Sequence, residues 1–329
     1  MINVGVIGVG RWGMNYLRAL RSAKNASVRW ICSSTKETLK KAIAETKLKA
    51  RSTTSYKEIL NDREVDAVII ATSASTHYGI AKDSLLSGKH ALVEKPVCLN
   101  SKDAADLLKI SNKKNKILMA GHLHLFNPGI QRIKSDMKAG LFGRINYISI
   151  THTGNGPVRN DMSALWDFFP HSVSILLHFL EENPIEISAS GASFLNKGIE
   201  DIATMNLKFQ GNIFAESMCS WLSPLKRMEV IVAGEKLYAV FDDYAIENKL
   251  LYCRNRPKMK NGKAVTEDNG CEAVKITEAK PLAEQVKHFL YCIENKKIPI
   301  NDGNAALKVT KIIECAEESM KKGSAIKLK

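Results

Sequence analysis

Long apolar runs are missing from this sequence. No stretch of about 18 consecutive apolar residues occurs among its 329 residues, so no segment is expected to span a membrane. C-x-x-C spacing is missing as well: the seven cysteines are scattered along the chain, which favours reduced thiols and gives no indication of a zinc site. Met1 leads almost directly into a strand pattern, so no targeting peptide is expected. These absences predict a cytoplasmic protein.

Negative charge is scarce relative to positive charge, and the formal net charge of the chain is +14. An excess of this size makes nucleic acid a candidate partner. However, the lysines are spread along the whole chain, and the densest run, residues 113–116, has no interleaved aromatic residues of the kind that a stacking platform needs. A solvated basic surface is therefore favoured over nucleic-acid binding. A positive field that attracts anionic ligands, such as cofactor phosphates, is a third interpretation.

The length is enough for about two domains, and the first 120 residues alternate between apolar strands and amphipathic helices. Strand patterns occur at residues 2–7, 28–32, 65–71, 90–94 and 117–120, and helical patterns at 12–23, 38–44, 80–86 and 102–113. This alternation predicts a parallel sheet wound by right-handed crossovers.

The pattern changes after about residue 121. Period-2 segments occur at residues 145–151, 185–192, 203–209, 213–219, 228–233 and 237–241, and helical patterns at 128–140, 164–180 and 305–321. Period-2 alternation predicts a large open, mostly antiparallel sheet. The fold class is therefore α/β, with a doubly wound domain over residues 1–121 and a second α/β domain over residues 122–329.

Residues 8–13 (GVGRWG) fit the dinucleotide pattern G-x-G-x-x-G and lie between a strand and a helix, as that pattern requires. Gly8 permits the tight turn, Gly10 lets the backbone approach a pyrophosphate, and Gly13 allows close packing of helix on strand. The helix N-terminus then presents free N–H groups to the phosphates. This context favours a Rossmann domain over a plain glycine-rich turn.

The acid that usually ends the second strand of an NAD-binding fold is missing. Ser33, Ser34 and Lys36 stand there instead, and hydroxyls with a lysine suit a 2′-phosphate better than a 2′-hydroxyl. The sequence therefore favours NADP slightly over NAD, although the nearby Glu37 could serve NAD.

Three further segments complete a family pattern. Residues 72–77 (TSASTH) follow one strand, residues 94–96 (EKP) end another, and residues 167–171 (DFFPH) open a helix. In this order after the glycine turn, they resemble the glucose–fructose oxidoreductase/inositol dehydrogenase family over nearly the whole chain. Residues 10–15, 125–128, 165–167 and 220–226 are similar to a branch that oxidises nucleotide sugars, typically at the 3-hydroxyl of a UDP-hexose derivative, in surface-polysaccharide biosynthesis.

The sequence departs from this family at three places. Ser73 replaces the proline of A-T-P, Ser172 replaces the aspartate that often follows the active-site histidine, and the acid after the second strand is absent. The first and third departures concern the cofactor site. The second concerns hydrogen bonds to the substrate, and with them the identity of the sugar.

The glycine motif and the resemblance together imply two sets of binding residues. The cofactor set is Gly8, Gly10, Arg11, Trp12, Gly13, Ser33, Ser34, Lys36, Thr72, Ser73, Thr76, His77, Glu94 and Lys95. The substrate set is His122, His124, Asn127, Arg159 and Trp166. The resemblance also implies that the peptide bond between Lys95 and Pro96 is cis.

Oxidation of a secondary alcohol moves a hydride to nicotinamide C4 and a proton from oxygen to a base. An imidazole titrates near the working pH and suits the second task; the resemblance assigns it to His171. Asp167, four residues earlier, would share a helix face with His171 and orient it or bind a substrate hydroxyl. Lys95 would hold positive charge beside the developing alkoxide. Because the nicotinamide performs the hydride step, no metal is expected.

Each of these residues has a structural alternative. Lys95 could be a surface lysine, His171 could cap a helix or satisfy a polar group in the core, and Asp167 could be only an N-cap or a first-turn acid. Residues 159–160 could bind substrate or be solvated. Trp221 fits a core or interface position better than a sugar-stacking one.

The sequence therefore predicts an NAD(P)-dependent oxidoreductase of a sugar or UDP-sugar. The alternatives are an enzyme acting on a cyclic polyol, ketosugar or other small carbonyl compound, and a non-catalytic NAD(P)-binding redox sensor. Family members cover the open sheet by pairing, so a homodimer or homotetramer is expected, and a monomeric mass in light scattering would contradict it. Neither nucleic acid nor membrane is an expected partner.

Overall fold

The computed structural model describes residues 1–254, 256–267 and 269–328. The helices are α1 Arg11–Arg21, α2 Lys36–Thr46, α3 Tyr56–Asn61, α4 Ala74–Leu86, α5 Ser101–Lys114, α6 Pro128–Lys138, α7 Ala164–Leu180, α8 Pro281–Asn295 and α9 Gly303–Lys322. The strands are β1 Ile2–Ile7, β2 Ala26–Cys32, β3 Arg51–Thr53, β4 Ala67–Ile70, β5 His90–Val93, β6 Leu118–Ala120, β7 Ile145–Asn155, β8 Glu186–Ala192, β9 Ile202–Lys208, β10 Phe214–Ser220, β11 Leu222–Gly234, β12 Tyr238–Asp242, β13 Leu250–Cys253, β14 Arg256–Lys260, β15 Lys263–Glu267, β16 Cys271–Ala273 and β17 Ile326–Lys327.

The chain divides into two compact units. The first comprises Met1–Phe126 and Ala279–Lys311, and the second comprises Asn127–Glu278 and Ile312–Lys329. A single division after residue 121 does not describe these units, because the segment that begins at Ala279 returns to the first one.

The first unit contains a parallel sheet in the order β3-β2-β1-β4-β5-β6. This confirms the predicted Rossmann arrangement. The order reverses between β1 and β4, and in open α/β sheets ligands bind beyond the carboxyl ends of the strands at this switch point. The glycine turn follows β1, and residues 72–77 follow β4. Both predicted cofactor segments therefore leave the sheet at its switch point.

α8 explains why the late segment belongs to the first unit. It packs against α1, and Val286, Phe289 and Leu290 are buried in the same hydrophobic cluster as Tyr16 and Leu17. Burial of such side chains is worth roughly 1.5–3 kcal/mol each. The sequence analysis missed this helix, although a proline at its start and apolar residues at helical spacing are the signals that could have revealed it.

The second unit contains a sheet in the order β16-β13-β12-β11-β7-β10-β9-β8-β17. Of the neighbouring pairs described, β7 with β10 is parallel and the others are antiparallel. The predicted mostly antiparallel sheet is confirmed, with this one parallel pair added. α7 packs against β7, β9 and β10, which fixes the helix of the D-x-x-x-H motif on the middle of the sheet.

The prediction that all cysteines are reduced is wrong for one pair. Cys253 and Cys271 form a disulfide between directly opposed positions of β13 and β16. Their separation of 18 residues gives no sign of this pairing, which depends on the register of the two strands. The remaining five cysteines are thiols.

Within the described ranges, no helix combines the length and the apolar character needed to cross a membrane.

Candidate active site

The glycine turn has the close contacts that its sequence predicts. Gly8 has a φ of +96°, and a Cβ there would lie 2.6 Å from the carbonyl oxygen of Ala71. A Cβ at Gly13 would lie 2.0 Å from the carbonyl oxygen of Gly8. At Gly10, by contrast, a Cβ would meet no described atom within 4 Å. The outer side of the turn is therefore open, and it fits the pyrophosphate of a dinucleotide.

The start of α1 adds electrostatic attraction to this open surface. Gly10 is the N-cap residue, and the first turn carries no acidic side chain. The first N–H groups of a helix have no acceptor within the helix, and they give its N-terminus a partial positive charge. A dinucleotide pyrophosphate is the kind of group that such an end binds.

Gly13→Ala should weaken dinucleotide binding by about tenfold or more, because relieving the clash with the Gly8 carbonyl costs roughly 1–3 kcal/mol. Titration of NADPH fluorescence measures this directly. Gly79→Ala is the matched control: Gly79 lies in α4, and a Cβ there meets no described atom within 4 Å. That control should keep wild-type affinity. Unchanged affinity in Gly13→Ala would contradict the assigned role.

A groove between α1 and α2 lies beside the glycine turn. Its volume is about 560 Å³, and its lining includes Gly10, Arg11, Thr38, Lys41 and Glu37. The end of β2 offers hydroxyl side chains rather than an acid: Ser33 is buried, and Ser34 is exposed. Cations, a hydroxyl and the carboxylates of Glu37 and Glu45 therefore line this groove, near the place where a Rossmann fold holds the adenosine ribose.

His77 joins the two loops that follow β4 and β5. It is 1% exposed. Its Nδ1 lies 2.8 Å from the carbonyl oxygen of Pro96, and its Nε2 lies 3.1 Å from that of Thr72. The Thr76 hydroxyl donates to the carbonyl of Ser73 at 2.7 Å and lies 2.8 Å from the hydroxyl oxygen of Thr72. The predicted residues of this loop are thus tied to one another, and His77 holds the two loops together.

Glu94 is a buried carboxylate that bonds within the first unit. It accepts hydrogen bonds from the Tyr16 hydroxyl at 2.6 Å, from the Trp12 indole, and from the Lys95 backbone N–H at 3.1 Å. Burial raises the pKa of Glu94, and the donors partly offset this rise. Gln285 in α8 donates to the Tyr16 hydroxyl at 3.0 Å. Glu94 and Trp12 therefore stabilise the loop that carries Lys95.

The peptide bond between Lys95 and Pro96 is cis, which confirms the expectation from the family resemblance. His122, just after β6, is near enough to Lys95 for the lysine charge to act on its imidazole. A Cβ at the adjacent Gly121 would lie 2.9 Å from the Cα of Glu94, so the two loops touch backbone to backbone. Burial, and then the charge of Lys95, lower the pKa of His122 to about 3. His122 is therefore neutral at physiological pH.

The D-x-x-x-H motif lies in the first two turns of α7. Ser163 is the N-cap residue, so Asp167 does not cap the helix, and His171 lies inside it with an exposure of 5%. Arg159 Nη1 lies 3.6 Å from Asp167 Oδ1, and Arg159 also forms two hydrogen bonds with Asp161. The second unit thus brings together Arg159, Asp167 and His171.

A second imidazole lies beside His171. His152 in β7 is 9% exposed, and its ring centroid is 5.7 Å from that of His171. The ring of Phe168 packs edge-on against His152 at 4.7 Å. The sequence analysis did not single out His152, because a lone histidine in a period-2 segment gives no sign of a neighbour in a distant helix.

The other predicted substrate residues have different surroundings in the structure. Asn127 caps α6 by accepting from the Gly129 N–H, and it donates to Asp243, so its amide is bonded at both ends. Trp166 is buried in α7, and His124 lies in the short 3-10 helix Leu123–Phe126. The side-chain amide of Asn196 donates to Asn160.

Trp221 is a core residue, as the sequence analysis favoured. Its side chain is 1% exposed, and its indole donates to the buried carboxylate of Asp201 at 2.6 Å. The same carboxylate accepts the backbone N–H groups of Phe194 and Leu195. Asp201 is thus a structural anchor that sequence reasoning did not detect.

Comparison with protein families assigns both parts of the chain. The family described as an oxidoreductase family with an NAD-binding Rossmann fold matches residues 2–122, and the GFO/IDH/MocA C-terminal domain matches residues 130–240. The chain belongs to the GFO/IDH/MocA oxidoreductase family. The resemblance inferred from the E-K-P and D-x-x-x-H motifs is thereby confirmed.

Two curated relatives of this GFO/IDH/MocA protein act on different polyhydroxyl compounds. It is 27% identical over 312 residues, covering 94% of each chain, to UDP-N-acetylglucosamine 3-dehydrogenase of Acidithiobacillus ferrooxidans. It is 25% identical over 222 residues to myo-inositol 2-dehydrogenase of Thermotoga maritima, which covers 64% of this chain and 65% of that one.

Solved structures confirm the fold of this GFO/IDH/MocA protein. The Acidithiobacillus ferrooxidans UDP-N-acetylglucosamine 3-dehydrogenase superposes with a TM-score of 0.84 at 23% identity and covers 98% of both chains. Levoglucosan dehydrogenase in complex with NADH and L-sorbose superposes with a TM-score of 0.86 at 17% identity, covering 100% of this chain and 99% of that one.

Proposed function

We propose that this GFO/IDH/MocA oxidoreductase oxidises a secondary hydroxyl, at C3, of a UDP-sugar with a nicotinamide dinucleotide as the hydride acceptor. The observation that carries the proposal is the buried His171, one helical turn after an Asp167 that pairs with Arg159. The match to a UDP-N-acetylglucosamine 3-dehydrogenase over 94% of each chain supports the choice of substrate class.

In this proposal, the side chains divide the work on one substrate hydroxyl. His171 accepts the hydroxyl proton as general base, and Asp167 orients the imidazole or holds a neighbouring sugar hydroxyl. Lys95 stabilises negative charge that develops on the same oxygen. The bound nicotinamide supplies the hydride acceptor. Because His122 is neutral, Lys95 supplies the positive charge of the loop that follows β5.

We further propose that the cofactor is NADP rather than NAD. The support is the lack of an acid at the end of β2 together with Arg11 and Lys41, which line the adjacent groove beside Glu37 and Glu45, because cationic and hydroxyl groups suit a 2′-phosphate. Calorimetric titration should give a lower dissociation constant for NADP⁺ than for NAD⁺. Equal or tighter binding of NAD⁺ would contradict this preference.

A cyclic polyol is the second candidate substrate, because the family includes the myo-inositol 2-dehydrogenase relative. A polyol has no diphosphate, so the positive charge of this chain would not attract it. The two candidates therefore differ in how activity responds to salt: turnover of a UDP-sugar should fall with ionic strength more steeply than turnover of an uncharged polyol.

Steady-state assays with UDP-N-acetylglucosamine, its free sugar and myo-inositol test the proposal. Each is offered with NADP⁺ and with NAD⁺, and dinucleotide reduction is followed by absorbance. The UDP-sugar should give the highest kcat/KM. Reduction with myo-inositol alone would favour the second candidate, and binding of dinucleotide without reduction by any substrate would favour a non-catalytic sensor.

A further inference from the structure

The second unit holds a pair of buried imidazoles rather than a single base. His152 and His171 have ring centroids 5.7 Å apart and an interplanar angle of 41°, and both are more than nine-tenths buried. They belong to different elements, β7 and α7, which pack directly against each other. The Phe168 ring also packs edge-on against His152, with a centroid distance of 4.7 Å, and helps to hold that ring in place.

Several titratable groups lie on the elements around this pair. Asp167 lies one turn before His171 on α7 and is balanced by Arg159. Cys219 on β10 is directly opposite His152, and burial raises the pKa of its thiol, so it remains uncharged. On β11, Arg227 is opposite Thr153, and Lys226 packs beside Gly154.

Two imidazoles this close in a buried site cannot both carry a charge easily. A positive charge on one ring disfavours a positive charge on the other, and groups that interact in this way bind their protons in separated steps that belong to the pair. The first proton is therefore held by the pair, and the second enters only at lower pH.

We propose that His152 is a positioning residue for His171 and that the two rings hold the proton taken from the substrate as one unit. This inference rests on the proposed role of His171 as base. When the substrate O–H bond breaks, an N–H bond forms on His171, and the pair carries one positive charge. Before the reaction both buried rings are neutral, and the arriving proton is the only one that the pair holds, so His152 shares a charge that His171 would otherwise hold alone.

A purely structural role for His152 predicts something different. Filling space against Phe168 would affect stability and the turnover number, but it would leave the proton affinity of His171 unchanged. The titration of His171 therefore separates the two roles, whereas turnover alone does not.

The test is a titration of ¹⁵N-histidine-labelled protein by NMR, without substrate, in wild type, His152→Asn and His152→Phe. Asparagine keeps a polar side chain, and phenylalanine keeps the ring against Phe168, so at least one variant should fold. His171→Asn assigns the signal, and His178→Gln, which removes a histidine near the far end of α7, is the matched control.

In wild type, the His171 signal should follow two separated steps. In both His152 variants it should follow a single step whose midpoint lies between the two wild-type midpoints, and the acid limb of the pH profile of kcat/KM should move to that midpoint. The control should leave both steps unchanged.

A His171 titration that is identical in wild type and in a folded His152 variant would overturn the inference. Failure of the proposed function has a different signature: the two-step titration would remain, but His171→Asn would still turn over substrate.

Discussion

The His171→Asn variant is expected to bind the dinucleotide with wild-type affinity and to lose turnover by about 10²–10⁴-fold. Asparagine has nearly the same size and keeps hydrogen-bonding groups, but it has no basic nitrogen to accept the substrate proton. The substitution changes no residue of the predicted cofactor set. Steady-state kinetics and a fluorescence titration of NADPH provide the two measurements.

His178→Asn is the matched control for this prediction. It removes a histidine from the same helix, two turns later, where the ring packs near Phe179 rather than near Asp167. Burial lowers the pKa of His178 to about 4, so it is neutral at physiological pH and its loss removes no charge. Full turnover in His171→Asn, alongside an intact control, would remove this residue as the base.

Lys95→Met should lower kcat/KM by about 10²–10³-fold and change dinucleotide affinity much less. Methionine keeps the length and the apolar stem of the lysine, whereas the positive charge beside the developing alkoxide is lost. The same substitution has a readout that does not depend on substrate: the pKa of His122 should rise, because the charge of Lys95 contributes to holding it down. Kinetics and a histidine NMR titration check both effects.

Lys102→Met controls for the loss of any lysine in this region, since Lys102 is an exposed residue at the start of α5. It should retain wild-type kinetics and the wild-type His122 titration. A Lys95→Met enzyme with normal kcat/KM would show that the ammonium has no part in the reaction. An unchanged His122 pKa would instead contradict the contact between the two loops.

The parallel sheet of the first unit could be predicted from the sequence, because each strand is a short apolar run followed by a helical pattern. The glycine turn could be predicted as well, because its G-x-G-x-x-G pattern lies between a strand and a helix, as that motif requires. The prediction failed for α8, whose apolar face makes sense only once α1 is present to cover it. Long-range packing of that kind leaves a weak local signal.

The candidate site could be predicted where short sequence motifs mark its residues. Lys95, Asp167 and His171 stand in recognisable local patterns, and the charge of Lys95 acts on His122, another predicted site residue. His152, Tyr16 and Gln285 were missed, because each acts through a partner that is distant in sequence. The Cys253–Cys271 disulfide was missed for the same reason, since it depends on strand register.

The most direct test of the account is a crystal structure of the protein with NADP⁺ and UDP-N-acetylglucosamine bound. The Lys95 ammonium and a ring nitrogen of His171 should both lie within about 3.2 Å of the same sugar hydroxyl oxygen, with the carbon that bears it facing nicotinamide C4. If either side chain lay beyond hydrogen-bonding reach of that oxygen, the proposed chemistry would be wrong, whatever the family of the chain.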